Sequence, residues 1–258
     1  MKAQRIKSFI SHWLNKVDEH SIHSPYFFDF YKQVIKPAQK AKGDQALEKL
    51  RARLLQNNMP VQMEDLGAGS AVGGQKKSLA DITQISVSPA KLSQLYFNIL
   101  NYIDAKYVVE LGTSIGLNTL YLSQKTDCRI FTFEGNKSLI NIALTHFESL
   151  DRKNVQLIEG NIDHTLSEFL QNTTKINFAL IDANHRYEPT LRYFNMLVRR
   201  MNEKSILVID DIHWSAEMEK AWDELHRHSL VYGSIDLYRC GILFFDPALN
   251  RQHFTLSL

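Results

Sequence analysis

Acidic side chains end two neighbouring apolar runs in the second half of the chain. INFALID ends at Asp182, and SILVIDD ends at Asp210 and Asp211. Adjacent strands of a sheet lie about 4.8 Å apart, so the three carboxylates would converge over one crevice if both runs are parallel strands. Carboxylate oxygens suit a hard cation such as Mg²⁺ or another divalent cation. The alternative is structural: Asp210 and Asp211 cap the next helix, and Asp182 tightens a loop.

Histidines lie beside both acidic positions. His185 follows Asp182 by three residues, and His213 follows Asp211 by two. A histidine here can act as a general base, because its reference pKa of about 6.5 leaves it largely neutral at pH 7. The alternative for His185 is a loop residue that bonds Asp182 for structure. His213 is a second candidate for the same pocket.

Two stretches, at 61–74 and 107–119, combine an acid with several glycines. A nucleotide-type loop needs an apolar strand, a tight turn into a helix, and an acid ending the next strand. The second stretch supplies the strand YVVEL and then Gly112 and Gly116. Glu134 ends the next apolar run, RIFTFE, and its separation from Glu110 is close to the expected value of about 20 residues. The first is polar and interrupted. The second is therefore predicted to be the cofactor loop.

The glycine spacing indicates the kind of cofactor. Dinucleotide sites usually show G-x-G-x-x-G, whereas the pattern from Glu110 is E-x-G-x-x-x-G, which disfavours an oxidoreductase. This pattern resembles the class I S-adenosylmethionine-dependent methyltransferases. GNIDHTL (160–166) and FALIDANHRY (178–187) match the family's adenine-flanking and catalytic loops. The resemblance extends over about residues 88–258.

The resemblance implies S-adenosyl-L-methionine as cofactor. Glu110 and the turn that follows it would face the amino-acid end, and Glu134 would accept the ribose hydroxyls. Alternatives stay open at three positions: Glu134 could cap a helix, and Asn161 and Asp163 could be turn formers. The implied cofactor-binding residues are Glu110, Gly112, Thr113, Ser114, Gly116, Glu134, Gly135, Asn161, Ile162 and Asp182.

The two acidic strand ends also resemble those of the catechol- and caffeoyl-type O-methyltransferases. That family has Asp after the fourth strand and Asp-Asn after the fifth, so the resemblance implies a metal at Asp182 and Asp210. Asp211 stands where the family has Asn, and we include it in the metal set. His185 stands where the family has its lysine base, so Asp182 and His185 are the predicted catalytic residues. IDDIHWSAEMEKAW is typical of a broad bacterial methyltransferase family of mostly unassigned substrate.

Alternating strand and helix runs from Ser88, a predicted N-cap, indicate an α/β fold. With the resemblance, we expect a doubly wound, mostly parallel, seven-stranded Rossmann-like sheet. Three closely spaced final runs predict an antiparallel edge. We divide the chain into a mainly helical elaboration at 1–87 and an S-adenosylmethionine-binding domain at 88–258. The elaboration is predicted to be a lid, with Tyr26, Phe27 and the glycines at 67–74 near the carboxyl edge of the sheet.

Composition narrows the partners. The net charge is +2, there are two cysteines, and no run reaches the roughly 20 apolar residues of a membrane span. We expect a cytoplasmic enzyme that methylates an oxygen of a small molecule, without nucleic acid, and a homodimer is the assembly we consider. Residues 1–60 hold eleven Lys/Arg against five acids. That segment could instead recruit RNA or an anionic lipid as acceptor, and a non-catalytic cofactor-binding protein is the third alternative.

Overall fold

A mixed sheet forms the centre of the computed structural model, which describes residues 2–63 and 76–258, with side chains from residue 5 onward. Two short strands, β1 (Pro60–Gln62) and β2 (Lys76–Ser78), pair antiparallel outside it. The spatial order in the main sheet is β10-β8-β9-β7-β6-β3-β4-β5. Its strands are β3 (Tyr107–Leu111), β4 (Arg129–Glu134), β5 (Val155–Glu159), β6 (Phe178–Ile181), β7 (Ile206–Asp210), β8 (Gly233–Asp236), β9 (Cys240–Phe244) and β10 (Gln252–Thr255).

Helices cover both faces of this sheet. The central strands β6 and β7 are buried along their whole length, which explains their continuous apolar sequences. A π-helical segment, Tyr31–Ile35, joins the second and third helices. The helices are α1 (Lys2–Asn15), α2 (Pro25–Phe30), α3 (Lys36–Gln39), α4 (Gln45–Leu54), α5 (Leu79–Ser86), α6 (Ala90–Tyr102), α7 (Leu117–Leu122), α8 (Lys137–Ser149), α9 (Ile162–Gln171), α10 (Tyr187–Leu197) and α11 (Ala216–Leu225).

The predicted α/β class and mostly parallel sheet are confirmed, but the described sheet has eight strands, not seven. The pairing of the last strand was predicted wrongly. β8 and β9 are antiparallel, whereas β10 runs parallel to β8, with Phe254 opposite Ile235. The reason is that β7 and β8 already occupy both edges of β9. The chain therefore passes to the free edge of β8, and β10 runs there in the same direction as β8.

The carboxyl ends of the parallel strands meet at one edge. β3, β4, β6 and β7 lie side by side, and Ile181 pairs with Ile209 near the ends of β6 and β7. Ser88, the predicted cap of α6, is replaced in that role by Pro89. Its hydroxyl lies instead beside Asp210, at the end of β7. The edge therefore gathers the acids predicted from the sequence.

Tyr26 and Phe27 of α2 were predicted to lie near the carboxyl edge of the sheet, and that prediction is wrong. Phe27 is buried, and its ring centroid lies 5.2 Å from that of Phe244. Phe244 pairs with Ile206, the first residue of β7, so Phe27 and its neighbour Tyr26 lie at the amino edge. Aromatic area favours this buried cluster over a solvent-facing lid. The glycines at 67–74 lie outside the described residues.

Candidate active site

A cavity of about 390 Å³ lies at the carboxyl edge, a size typical of small-molecule sites. Segments from both parts of the chain form its wall, including α5 and the turns after β3, β4, β5, β6 and β7. Of the predicted cofactor-binding residues, those that line it are Gly112, Ser114, Glu134, Gly135, Asn161, Ile162 and Asp182.

The turn after β3 requires glycine at its first position. Gly112 has φ +102°, and a Cβ atom there would overlap the backbone oxygen of Asp182. The amide of Asp182 in turn donates to the carbonyl of Leu111 at 2.9 Å. The missing side chain therefore lets the turn lie directly against the end of β6. This closeness joins the glycine turn and Asp182 in one wall.

Glu134 is held by backbone amides from two turns. Its Oε2 accepts from the amide of Ser114 at 2.8 Å, and its Oε1 from those of Gly135 and Asn136 at 3.0 and 2.9 Å. Burial raises the pKa of Glu134, and the three amide bonds oppose that rise. The N-cap of α8 is the side chain of Asn136. Glu134 thus presents a fixed carboxylate to the cavity, with one acceptor site left, on Oε2, for a ligand hydroxyl.

Glu110, which we expected to face the cofactor, lies beneath the turn. Its side chain is fully buried, and it accepts hydrogen bonds from Asn118 and Thr132, each at 2.7 Å, and from Thr119. Burial raises the pKa of Glu110 above its ordinary value, and these hydrogen bonds oppose that rise. Its two oxygens are thus held by groups of the protein, and it ties β3, β4 and α7 together below the cavity wall.

Thr113 and Gly116 also support the turn from outside the cavity wall. The hydroxyl of Thr113 lies 2.6 Å from that of Thr132 and is buried. Gly116 has φ +81°, and a Cβ atom there would crowd the ring of Phe147 in α8. The glycine is therefore needed for packing against α8, a requirement separate from ligand approach.

Asn161 and Ile162 come from the turn after β5. Asn161 caps α9, because its side chain accepts from the amide of Asp163 at 2.9 Å. It also lines the cavity, so the capping role does not remove it from the site. Ile162 and Leu139 give this part of the wall an apolar surface of the kind that an adenine ring contacts.

The predicted acids Asp182, Asp210 and Asp211 are brought together, with a cation beside them. Asp210 is 2% exposed and accepts from the hydroxyl of Tyr96 at 3.0 Å. Asp211 has φ +53°, and its Oδ1 lies 3.0 Å from Nε of Arg239. Burial raises the pKa of Asp182 well above its usual range, as do the charges of its two acidic neighbours. Burial and the Asp211 charge also raise the pKa of Asp210, whereas Arg239 lowers both pKa values.

The donor set does not fit the predicted metal site. Asp210 faces Tyr96 and Asp211 faces Arg239, so the carboxylates are directed at different protein groups. Among residues 2–63 and 76–258, no three His, Cys, Asp or Glu side chains form a group that could hold a metal ion. The positive charge that the acids require is supplied by Arg239.

His185 lies next to Asp182 in a strained turn. Its Nε2 atom is 3.6 Å from Oδ1 of Asp182, and its side chain is 32% exposed, so a ligand can reach it. His185 and Asn184 both have positive φ, at +34° and +63°. The side chain of Asn184 donates to the hydroxyl of Tyr193 at 2.6 Å, which holds the turn against α10. Positive φ at two non-glycine residues is costly and is frequently found at functional sites.

His213 lies outside this cavity wall. Its Nε2 atom is 2.8 Å from Asp236 and its Nδ1 atom 3.2 Å from Glu219. Burial alone would lower the pKa of His213, but these two acids raise it above the ordinary value. The ring also stacks on Tyr238, with centroids 5.3 Å apart. His213 therefore fixes the turn that carries Arg239.

Several lining residues were missed in the sequence. Arg239 comes from the β8–β9 connection, where no motif marks it, and Tyr96, which bonds Asp210 from behind the wall, lies among the apolar positions of α6. Met63 and Lys77 flank the undescribed segment and reach the same wall. Only spatial adjacency to the acids could have identified them.

Comparisons with known proteins bear on the domain and on the fold. Residues 109–212 match the family model described as a methyltransferase domain. An O-methyltransferase from Bacillus cereus, solved with S-adenosylhomocysteine, has a TM-score of 0.60 at 12% identity, covering 82% of this chain and 96% of its own. An O-methyltransferase of tomaymycin synthesis from Streptomyces achromogenes, solved with S-adenosylmethionine, has a TM-score of 0.56 at 15% identity, covering 84% and 96%. The methyltransferase PaMTH1 of Podospora anserina, bound to S-adenosylhomocysteine, has a TM-score of 0.55 at 13% identity, covering 80% and 97%.

At these identities the structural likeness shows the fold, and the matched domain gives the class. A search of curated proteins found no match to the sequence. The matched methyltransferase domain and the fold confirm the prediction, made from the turn after Glu110, of an S-adenosylmethionine-dependent methyltransferase.

Proposed function

We propose that this enzyme transfers the methyl group of S-adenosylmethionine to an oxygen atom of a small-molecule acceptor. The observation that supports this proposal is the order in which the site residues lie along one edge of the cavity. Four residues lie at the carboxyl ends of the neighbouring strands β4, β3, β6 and β7, in that order: Glu134, Gly112, Asp182 and Asp211. A cofactor cradle and a candidate base therefore share one cavity. Two of the similar structures are described as O-methyltransferases, which supports the choice of oxygen.

The residues present fit the cofactor. Glu134 offers a carboxylate oxygen to a ribose hydroxyl, and Gly112 permits close approach to the backbone. The apolar pair Leu139 and Ile162 suits the adenine ring. When bound, S-adenosylmethionine supplies a methyl group on a positively charged sulfur, which is the electrophile. The protein has to orient it towards the side of the cavity that carries Asp182.

The acceptor proton is assigned to His185. Nε2 of His185 takes the proton from the acceptor hydroxyl as the oxygen–carbon bond forms and the sulfur–carbon bond breaks. S-adenosylhomocysteine leaves with the electron pair of the broken bond. Asp182, whose Oδ1 is 3.6 Å from that nitrogen, positions the imidazole. A positioned base of this kind contributes about 10²–10⁴-fold to the rate.

Arg239 is assigned the part that a metal would otherwise play. It is the cation paired with Asp211, and it lines the cavity beside Asp182. Its guanidinium would stabilise negative charge that develops on the acceptor oxygen. Asp210 does not contact the methyl-acceptor substrate in this scheme, because its carboxylate accepts hydrogen bonds from the hydroxyls of Tyr96 and Ser88.

Calorimetry with S-adenosylmethionine, S-adenosylhomocysteine and NAD in parallel tests the cofactor. We expect binding of the first two and none of NAD. A screen of hydroxylated aromatic and aliphatic compounds with a labelled methyl donor then tests the acceptor. Label in ether or ester linkages supports oxygen as the target, whereas label found only on nitrogen or carbon refutes it.

A further inference from the structure

Helix α1 exposes an apolar face to solvent. Its large side chains Ile6, Phe9, Ile10, Trp13 and Leu14 are each at least half exposed. They recur at three- and four-residue spacing, so they form one stripe along a helix about 21 Å long. Five of the thirteen exposed large apolar side chains in the described residues lie on this one helix. An exposed stripe of this kind marks an interaction surface.

Basic residues flank the stripe on both sides. At 100° per residue, Lys7 lies on one side of it, and Arg5 and Lys16 lie on the other. The ammonium of Lys16 is 5.9 Å from the ring centroid of Trp13. Residues 1–17 contain no Asp or Glu. A stripe with Trp and Phe, bordered by basic side chains, is the pattern of a helix that lies in a lipid interface.

The opposite face fixes the helix to the carboxyl edge. Ser8 and His12 are buried, and Nε2 of His12 lies 3.4 Å from a carboxylate oxygen of Asp236 at the end of β8. The hydroxyl of Tyr238 donates to the carbonyl of Arg5 at 3.2 Å. The exposed stripe is therefore presented outward from a helix whose inner face is anchored.

The anchoring places α1 beside the candidate active site. The guanidinium of Arg5 lies 4.3 Å from the ring centroid of Trp214, which lines the cavity. Phe9 and Trp13 line a second, largely apolar cavity of about 350 Å³. Arg239 belongs to the walls of both cavities.

We propose that α1 docks this enzyme on an anionic lipid surface. The apolar stripe (Ile6, Phe9, Ile10, Trp13 and Leu14) would enter the interface, and Arg5, Lys7 and Lys16 would contact anionic headgroups. A second copy of the chain fits this face less well, because two such helices would bring their basic borders together without acids to offset them. Docking would place the second cavity, and Arg239 behind it, against the lipid. The inference does not depend on the methyl-transfer proposal, since it rests on α1 alone.

The test uses the full chain with vesicles of phosphatidylcholine and of equal parts phosphatidylcholine and phosphatidylglycerol. We expect flotation with the anionic vesicles, weakened by salt, and about tenfold weaker binding to neutral ones. The double substitution Phe9→Ser/Trp13→Ser should reduce binding at least about tenfold. Its matched control, Leu55→Ser/Leu230→Ser, changes exposed leucines elsewhere and should bind as wild type.

The charge border is tested in the same way. Lys7→Glu/Lys16→Glu should reduce binding to anionic vesicles at least about tenfold, whereas Lys153→Glu/Lys204→Glu should not. Circular dichroism and cofactor binding establish that each variant is folded. Two outcomes overturn the proposal: vesicle binding that the α1 variants leave unchanged, or no vesicle binding at all. A dimer in sedimentation that Phe9→Ser/Trp13→Ser dissociates, with no flotation, would assign the face to a second copy.

Discussion

Oδ1 of Asp211 lies 3.0 Å from Nε of Arg239 across the carboxyl edge of the sheet. The two residues come from different connections, one after β7 and the other between β8 and β9. Their contact places a permanent positive charge beside Asp182 and Asp210, whose carboxylates are otherwise crowded. The chemistry available at this edge therefore depends on the Asp211–Arg239 ion pair, which no sequence motif predicts.

The first prediction concerns the metal. Because Arg239 supplies the positive charge, methyl transfer should be unaffected by a chelator and by added Mg²⁺. Arg239→Met should lower turnover about 10²-fold, by analogy with the loss of one stabilising donor for a developing oxyanion. Steady-state assays with the labelled donor measure both effects. Arg227→Met, at an exposed arginine two residues after α11, is the matched control. Activity that chelation abolishes and Mg²⁺ restores would contradict this account.

The second prediction concerns Glu134. Glu134→Ala should lower the affinity for S-adenosylmethionine at least tenfold, because each charge-assisted hydrogen bond contributes about 1.5–3 kcal/mol. Glu134→Gln keeps one oxygen and the side-chain volume, so it separates loss of charge from collapse of the turn. Glu159→Gln, an exposed acid ending the neighbouring β5, should bind normally. Calorimetry gives the affinities, and wild-type affinity in the folded Ala variant would relocate the ribose site.

The third prediction concerns His185. His185→Ala should lower turnover at least about a hundredfold while cofactor affinity stays within a few-fold, since the side chain acts on the acceptor proton. His164→Ala, an exposed histidine on α9, is the control. If a folded His185→Ala variant keeps near wild-type turnover between about pH 6 and about pH 9, His185 is not part of the mechanism.

The fourth prediction concerns Asp182 and stability. Burial and the charges of Asp210 and Asp211 raise the pKa of Asp182 well above its usual range, so the folded state holds this proton more tightly than the unfolded state. That stabilisation is complete below the unfolded pKa of about 4 and is lost as pH rises through the raised folded pKa. Asp182→Asn stays neutral. It should therefore be more stable than wild type at high pH by about 1 kcal/mol, or about 2–4 °C in Tm.

The gain should shrink as the pH approaches about 4, where wild type is also neutral at this position. Thermal melts across this range measure it. Asp151→Asn alters an exposed acid and should show no such pH-dependent gain. An Asp182→Asn variant that is less stable than wild type at high pH would show that the ionised carboxylate is compensated by its surroundings.

The sequence alone determined the class of fold and the position of the glycine turn after β3. Local patterns carry this information: YVVEL and INFALID are apolar along their whole length because central parallel strands are buried on both faces. Gly112 is dictated by a turn whose φ is positive and whose backbone lies directly against that of Asp182. Acids at the ends of β4, β6 and β7 then follow from the polarity of parallel strands, which brings their carboxyl ends to one edge.

Only the tertiary structure decided which groups meet those acids. Arg239 reaches Asp211, and Tyr96 reaches Asp210 from a helix more than a hundred residues earlier, by contacts that have no local sequence pattern. The same holds for Phe27, whose aromatic segment packs at the amino edge because a buried ring cluster was available there. β10 joined β8 because both edges of β9 were already filled. Such choices depend on which surfaces remain free after the sheet has formed, and that is a property of the whole chain.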